Sequence, residues 1–206
     1  MYNPKEYWLN ELGGVENWKH DADTSPNIIR SIDRLRNVVI PTIVDLKQVK
    51  GGNILDAGCG CGYCANEFNL SNSFDNVYGI DFQEHRIDYC NNKYKEKGIY
   101  FMLGSLVDLP YPDNFFDVVF TGAVLMHLPV EDKINAINEF KRVLRTGGFY
   151  FGHEIIQNSN NEIIDSGQHV INPNMGWLRK HFDPLVVDEL VLQHEDYDFQ
   201  IIYAKK

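Results

Sequence analysis

The sequence contains no run of about 18 consecutive apolar residues, the length a helix needs to span a bilayer. Its first eight residues, Met1–Trp8, are polar and aromatic, and they lack the basic segment followed by an apolar stretch that is typical of a signal peptide. We therefore expect a cytoplasmic protein with no membrane partner.

Basic residues are scarce. The 206 residues include 19 Lys and Arg against 29 Asp and Glu, a formal net charge of −10. A surface with this excess of carboxylates repels phosphate backbones, so nucleic acid is not an expected partner. Hydrophobic residues make up 44% of the chain, enough for a full core and too many for a disordered protein.

Cysteines are few, and their layout does not suit a disulfide scaffold. Cys59, Cys61 and Cys64 crowd into one loop, and Cys90 follows alone, which favours a reducing compartment. Three thiols in one loop with Cys90 as a fourth ligand raise the alternative of a metal site. Zinc sites usually use two pairs of cysteines, each separated by two to four residues, and Cys90 has no partner at this spacing. Buried free thiols are therefore favoured, and no metal is predicted.

Hydrophobic periodicity changes after Gly51-Gly52. Before this point, Asn27–Val49 has apolar residues at helical spacing, with Pro41 as a kink. After it, strands alternate with helices, which predicts a parallel sheet with right-handed crossovers. The predicted strands are Asn53–Ala57, Val77–Ile80, Tyr100–Leu103, Phe116–Thr121 and Phe149–Ile156, and the helices are Gly62–Leu70, Glu84–Lys97 and Glu131–Leu144.

The last part of the chain has a different pattern. The polar stretch Gln157–Pro173 precedes a short predicted helix, Asn174–Phe182. Two strands follow, Leu185–Leu192 and Asp198–Ala204, with too short a connection for a crossover, so they should form an antiparallel hairpin. We expect residues 1–50 to form a helical cap or lid and residues 51–206 to form the main domain.

A glycine-rich turn follows the first strand. Gly58, Gly60 and Gly62 alternate there, and glycine permits positive φ and close approach of a ligand to the backbone. Gly60–Ala65 also satisfies the loose dinucleotide pattern G-x-G-x-x-G/A. However, Asp56 places a carboxylate where a diphosphate would bring negative charge, which favours a cationic ligand group.

Asp81 ends the second strand, 21 positions after Gly60. A carboxylate at this spacing accepts hydrogen bonds from the ribose hydroxyls of a bound nucleoside. Capping of the following helix is the alternative role. The sequence lacks a P-loop, so phosphate transfer of that type is excluded.

These motifs occur in one order along the chain. Asp56-x-Gly58-x-Gly60-x-Gly62 and Asp81 are followed by Leu109-Pro110-Tyr111-Pro112-Asp113-Asn114-Phe115-Phe116-Asp117, by His127-Leu128 and by Arg142-Val143-Leu144-x-x-Gly147-Gly148. Together they resemble the class I (seven-stranded) S-adenosylmethionine-dependent methyltransferases. The resemblance covers about residues 50–156. It implies a doubly wound α/β sheet of order 3-2-1-4-5-7-6 with strand 7 antiparallel.

The resemblance also implies the cofactor, S-adenosylmethionine, and its contacts. Asp56 would hold the ammonium group and the glycine loop would line the methionine end, while Asp81 would bind the ribose. Other contacts would fall to residues after the later strands. The implied cofactor-binding residues are Asp56, Gly58, Gly60, Gly62, Asp81, Phe82 on the adenine face, Ser105 and Leu106 at the adenine edge, and Thr121 beside the methyl group. Many members of the family have Asp where Ser105 stands.

The acceptor is expected to be a small molecule, methylated on oxygen rather than nitrogen and possibly linked to a sugar. His127 and His153 are the predicted general bases, with Glu154 and His169 as further candidates, and a base is needed only for an acceptor with a high pKa. The segment around Tyr7 and Trp8 faintly resembles methyltransferases associated with nonulosonic (pseudaminic-type) sugar biosynthesis. We expect a monomer or homodimer.

Two other functions remain open at this stage. A non-catalytic protein could keep the fold and bind S-adenosylmethionine as a sensor or partner subunit. An NAD-dependent oxidoreductase would need a loop that accepts phosphates, and Asp56 argues against that.

Overall fold

The computed structural model of the protein describes residues 26–46, 48, 51–153, 173–194 and 197–206. Five helices and seven strands lie within these ranges. In chain order they are α1 (Pro26–Arg34), β1 (Asn53–Ala57), α2 (Tyr63–Leu70), β2 (Asn76–Asp81), α3 (Glu84–Lys93), β3 (Ile99–Leu103), β4 (Phe116–Gly122), α4 (Val130–Val143), β5 (Leu144–His153), α5 (Met175–Phe182), β6 (Val186–His194) and β7 (Tyr197–Lys205).

The strand order is β3-β2-β1-β4-β5-β7-β6 in one seven-stranded sheet. Strand β7 runs antiparallel to both β5 and β6, whereas β1, β2 and β3 are mutually parallel, as are β4 and β5. The predicted fold class, the reversed last strand and the terminal hairpin are therefore confirmed. None of the helices in the described ranges combines the length and apolar character that crossing a bilayer requires.

The chain divides into two compact units, Met1–Gly104 and Ser105–Lys206. In the first, helices α2 and α3 pack against β2 and β3, and Ile54, Leu55 and Phe68 are among the buried side chains. In the second, α4 packs against β5 and α5, around Phe140 and Tyr150. The predicted cap over residues 1–50 stays a prediction, and residues 1–25 lie outside the described ranges.

Most predicted boundaries agree with the structure to within one or two residues, and three predicted elements differ more. Strand β5 begins at Leu144, not Phe149, because Leu144 pairs with Phe116 and a register shift then carries the strand through Gly147 at φ +80°. Helix α3 ends at Lys93, four residues early, since the chain turns towards Gly98 at φ +72°. The first helical segment continues beyond α1 as two π-helical turns, Leu35–Val39 and Thr42–Leu46, on either side of Pro41.

Arg142 joins two of the sequence motifs of the second unit. Its guanidinium donates to the carbonyl oxygens of Leu109 and Tyr111 at 2.9 and 2.7 Å, and to the Asp113 carboxylate at 2.8 Å. It also makes a bidentate ion pair with Glu139, whose Oε2 accepts the Leu109 N–H at 2.7 Å. The segment that enters β4 is therefore fixed to helix α4 by one planar side chain.

Replacing Arg142 by Lys should destabilise the protein. Lysine keeps the charge but cannot reproduce the forked geometry, so carbonyl oxygens of the 109–113 segment lose their donors. We expect a loss of about 1–3 kcal/mol in the free energy of unfolding, measured by denaturant titration. Arg179→Lys, at an exposed position of α5, is the control and should change little. Equal stabilities of the two variants would contradict this role.

Candidate functional site

The glycine-rich loop between β1 and α2 folds back onto the end of β2. Gly58, Gly60 and Gly62 have φ values of +80°, +52° and +74°, a region that other residues rarely adopt. The N–H groups of Gly58 and Cys59 both donate to the Ile80 carbonyl oxygen, at 2.8 and 2.9 Å. Hydrogen bonds within the protein thus hold the loop in a conformation whose positive φ values favour glycine.

Gly62 is needed for packing as well as for its backbone angle. A Cβ at Gly62 would lie 2.9 Å from the Cys90 sulfur and from ring atoms of Tyr94 and Phe101. Helix α2 therefore begins in close contact with α3 and β3. Close packing of these elements thus requires a residue without a Cβ at position 62.

Asp56, at the carboxyl end of β1, is buried. Its Oδ2 accepts the N–H of Ala65, in the first turn of α2, at 2.9 Å. Burial raises the pKa of Asp56 to about 7, with a smaller contribution in the same direction from the Asp81 carboxylate and an opposing one from the Ala65 hydrogen bond. A group with this pKa is readily converted to its charged form by a nearby cation.

Asp81 connects the end of β2 to the glycine loop. Its Oδ2 accepts the Gly60 N–H at 2.9 Å, and its Oδ1 accepts the Gln83 N–H at 3.0 Å. Each carboxylate oxygen can accept a further hydrogen bond. Phe82, the predicted adenine neighbour, is 37% exposed. The predicted site residues of the first unit are thus close together.

The predicted residues that follow β3 belong to the second unit. Ser105 is exposed, and its hydroxyl oxygen lies 3.4 Å from the Val107 N–H, which donates to it. Leu106 is half-buried within the same turn. The serine thus stabilises its own turn, a local role that the family's usual Asp could also fill.

Thr121, near the end of β4, is fully buried. Its hydroxyl shares a 2.7 Å hydrogen bond with the Tyr150 hydroxyl. Tyr150 has room because Gly152 follows it on the same face of β5, where a Cβ would lie 2.5 Å from the tyrosine oxygen. The Thr121 hydroxyl is therefore used within the core, and its proposed place beside the methyl group stays a prediction.

The two predicted bases lie on adjacent segments of the second unit. His127 ends a 3-10 turn, Leu125–His127, and the Ala123 N–H donates to the His153 carbonyl oxygen at 2.8 Å. Both histidines are half-buried. Ala123 has φ +57°, a strained conformation of the kind that clusters at functional sites. Glu154 and His169 lie outside the described residues.

Lys133 was missed by the sequence analysis. Its side chain is fully buried on α4, and Nζ donates to the Leu128 carbonyl oxygen at 2.5 Å, just after the His127 turn. A signal was present, because Lys133, Ile137 and Phe140 follow helical spacing along the buried stripe of α4. A lysine in an apolar stripe indicates a buried partner.

All four cysteines are free thiols. Burial is the largest cause that raises the pKa of both Cys59 and Cys64 well above the ordinary thiol range, which keeps them protonated. Within the described ranges, no three or more His, Cys, Asp or Glu side chains are arranged to hold a metal ion.

The sequence matches a family model described as a methyltransferase domain over residues 55–152. Among curated proteins it is 36% identical over 146 residues to the 27-O-demethylrifamycin SV methyltransferase of Amycolatopsis mediterranei (strain S699), covering 69% of this chain and 47% of that protein. The chain spans about a third to a half of the length of this and other curated relatives that it matches.

Two solved structures show the same fold. One is magnesium protoporphyrin IX methyltransferase from Synechocystis PCC 6803 with bound SAM, with a TM-score of 0.72 and 17% identity over 99% of this chain and 97% of that chain. The other is the 4+2 cyclase SpnF, with a TM-score of 0.67 and 20% identity over 86% of this chain and 80% of that chain.

The first unit has the groups that a sulfonium nucleoside needs. Asp81 keeps lone pairs for ribose hydroxyls after its two backbone contacts, and Asp56 supplies a second acid at the same loop. A Cβ at Gly60 would meet only Arg86 Nη1, at 3.2 Å, so this glycine is less enclosed than Gly62. These residues fit S-adenosylmethionine.

Gly62→Ala should destabilise the protein more than Gly98→Ala. The two glycines have nearly the same φ, +74° and +72°, so alanine meets similar backbone strain at both. Only Gly62 is crowded, since nothing lies within 4 Å of a Cβ at Gly98. We expect an additional loss of about 1–3 kcal/mol for Gly62→Ala in chemical denaturation. Equal losses would show that the loop can open without cost.

Asp56→Asn should remove a pH-dependent destabilisation. In the native state Asp56 keeps its proton up to about pH 7, whereas its reference pKa is 3.8, so the native state binds more protons between these values. Wild-type stability therefore falls by up to about 1.4 kcal/mol per pH unit as pH rises through this window. Asparagine cannot ionise and can still accept from Ala65.

The measurement is the difference in unfolding free energy between wild type and Asp56→Asn from pH 4 to pH 8, with exposed Asp88→Asn as the control. The free energy of unfolding of Asp56→Asn relative to that of wild type should increase as pH rises and level off above pH 7. Parallel curves would mean that Asp56 is ionised in the native protein throughout.

Proposed function

We propose that the chain is a class I S-adenosylmethionine-dependent methyltransferase that transfers the methyl group of S-adenosylmethionine to a small-molecule acceptor. The observation that carries the proposal is the Asp81 carboxylate, which lies against the glycine loop and bonds the Gly60 N–H at 2.9 Å. Oxygen is the proposed acceptor atom.

The proposed chemistry is a displacement at the carbon bound to the sulfonium. The cofactor supplies an activated methyl group, so the protein's task is to align the acceptor and exclude water. Asp56 would balance the positive charge of the ammonium group, and Asp81 would fix the ribose. Both roles use carboxylates that the first unit already orients through backbone N–H groups.

A base is required only for an acceptor whose proton has a high pKa. We propose His127 or His153 for this role. Both lie in the segments that follow β4 and end β5, and the Ala123–His153 hydrogen bond ties these segments together. A carboxylate acceptor would need neither histidine.

Two observations support a small acceptor methylated on oxygen. The similar protein from Amycolatopsis mediterranei is named for 27-O-demethylrifamycin SV, and the net charge of −10 disfavours nucleic acid. A sugar-linked acceptor is proposed only from the faint resemblance around Tyr7 and Trp8, which lie outside the described residues. A cytoplasmic location and a monomeric or homodimeric state also stay predictions.

A second candidate function is cofactor binding without methyl transfer. The fold is shared with the 4+2 cyclase SpnF, and a shared fold does not determine the reaction. The two candidates separate on turnover. A methyltransferase converts S-adenosylmethionine to S-adenosylhomocysteine in the presence of an acceptor, whereas a pure binding protein holds both and converts neither.

Asp81→Asn should weaken binding of S-adenosylhomocysteine by about 1–3 kcal/mol, because it loses charge-assisted hydrogen bonds to the ribose hydroxyls. Titration calorimetry measures the change, with Asp88→Asn, a substitution of an exposed aspartate on α3, as the matched control. NAD serves as the second ligand and should not bind wild type. Unchanged affinity in Asp81→Asn, or tighter binding of NAD, would contradict the assigned nucleoside site.

A further inference from the structure

The peptide groups of the central glycine, Gly60, are held from two sides. The N–H donates to Asp81 at the end of β2, and the carbonyl oxygen accepts the thiol of Cys90, with Sγ 3.3 Å away. Cys90 belongs to α3, the helix that follows β2. Glycine has few conformational restraints of its own because it lacks a Cβ. Two neighbouring elements therefore hold Gly60 at its φ of +52°.

Cys90 is fully buried under the loop. Its sulfur would be 2.9 Å from a Cβ at Gly62, so it contacts the loop at two of its glycines. One helical turn earlier, Arg86 places Nη1 3.2 Å from the Cβ position of Gly60. The same face of α3 thus supports the loop along its length.

The buried thiol of Cys59 approaches the same carbonyl group. Its Sγ lies 4.0 Å from the Gly60 carbonyl oxygen, against 3.3 Å for the Cys90 Sγ. Because hydrogen bonds weaken with distance, Cys90 is the stronger of the two thiol donors to this oxygen.

From this arrangement we propose that Cys90 is a positioning residue for cofactor binding, which holds the Gly60 peptide in its binding conformation through the thiol–carbonyl hydrogen bond. The inference rests on the proposed function, because it assigns Gly60 to the cofactor loop. A loop that is fixed before the ligand arrives loses less conformational entropy on binding. Removing the thiol–carbonyl hydrogen bond should therefore weaken the affinity without removing a ligand contact.

The Cys61 and Cys64 side chains do not share this role. Both are half-buried, and Cys64 lies in the first turn of α2. Cys64→Ala is therefore a matched control, since it also removes a cysteine thiol close to Gly60 in the sequence. Cys90→Ser offers the conservative variant, because it retains a donor on a slightly shorter side chain.

The experiment compares wild type, Cys90→Ala, Cys90→Ser and Cys64→Ala. Titration calorimetry gives the affinity for S-adenosylhomocysteine, and hydrogen exchange followed by NMR gives the protection of the Gly60 and Cys61 amides without ligand. We expect Cys90→Ala to bind about threefold to tenfold more weakly, a change of roughly 0.7–1.4 kcal/mol, and to exchange these amides faster. Cys90→Ser should fall between Cys90→Ala and wild type, and Cys64→Ala should match wild type in both measurements.

The proposal is overturned if Cys90→Ala retains wild-type affinity and amide protection, if alanine and serine behave alike, or if Cys64→Ala weakens binding equally. A wild-type protein that fails to bind S-adenosylhomocysteine would instead refute the proposed function. The amide exchange of Gly60 would still decide in that case whether Cys90 fixes the loop.

Discussion

The hydrogen bond between the Gly60 N–H and the Asp81 carboxylate joins the glycine-rich loop to the end of β2. It can form only because the loop after β1 turns through left-handed backbone angles and returns to the end of β2, where the Ile80 carbonyl oxygen accepts two further N–H groups. An acid placed 21 residues beyond a glycine thereby becomes its direct neighbour. The remaining contacts of the loop, from Asp56, Cys90 and the packing at Gly62, stabilise this one conformation.

Several buried or part-buried polar side chains join segments that are distant in sequence. Glu67 on α2 makes a bidentate ion pair with Arg36, both bonds at 3.0 Å. Lys133 donates to the main chain after the His127 turn, and Arg142 binds the segment before β4. Because burying an unpaired polar group is costly, such side chains specify how segments distant in sequence come together.

The fold and the chemistry have different kinds of support. The fold is shared with proteins of low sequence identity, including both a methyltransferase and a cyclase. The reaction therefore has to be argued from the loop carboxylates and their hydrogen bonds. Methyl transfer is consistent with these features because they provide negative charge and oriented acceptors for a cationic nucleoside.

Local pattern determined most of the elements. β1 was predicted with its observed ends, and the terminal hairpin follows from a connection too short for a crossover. The glycine loop and Asp81 were also predictable, since the strand ends, the glycines and the spacing between them are visible directly in the sequence. The early start of β5 at Leu144 was not, because its pairing with Phe116 is made across the sheet and outweighs the local signal of Gly147 and Gly148.

Only the tertiary structure decided which atoms meet. It pairs the Thr121 hydroxyl with Tyr150, seats Cys90 under Gly60 and buries Lys133 against a carbonyl oxygen. Sequence periodicity records which face of an element is buried, but a hydrogen bond between residues 29 or 30 positions apart depends on the register and packing of whole elements. For this reason the resemblance to methyltransferases and the glycine-rich loop could be recognised in the sequence, whereas the contacts that hold the loop in place emerged only from the folded chain.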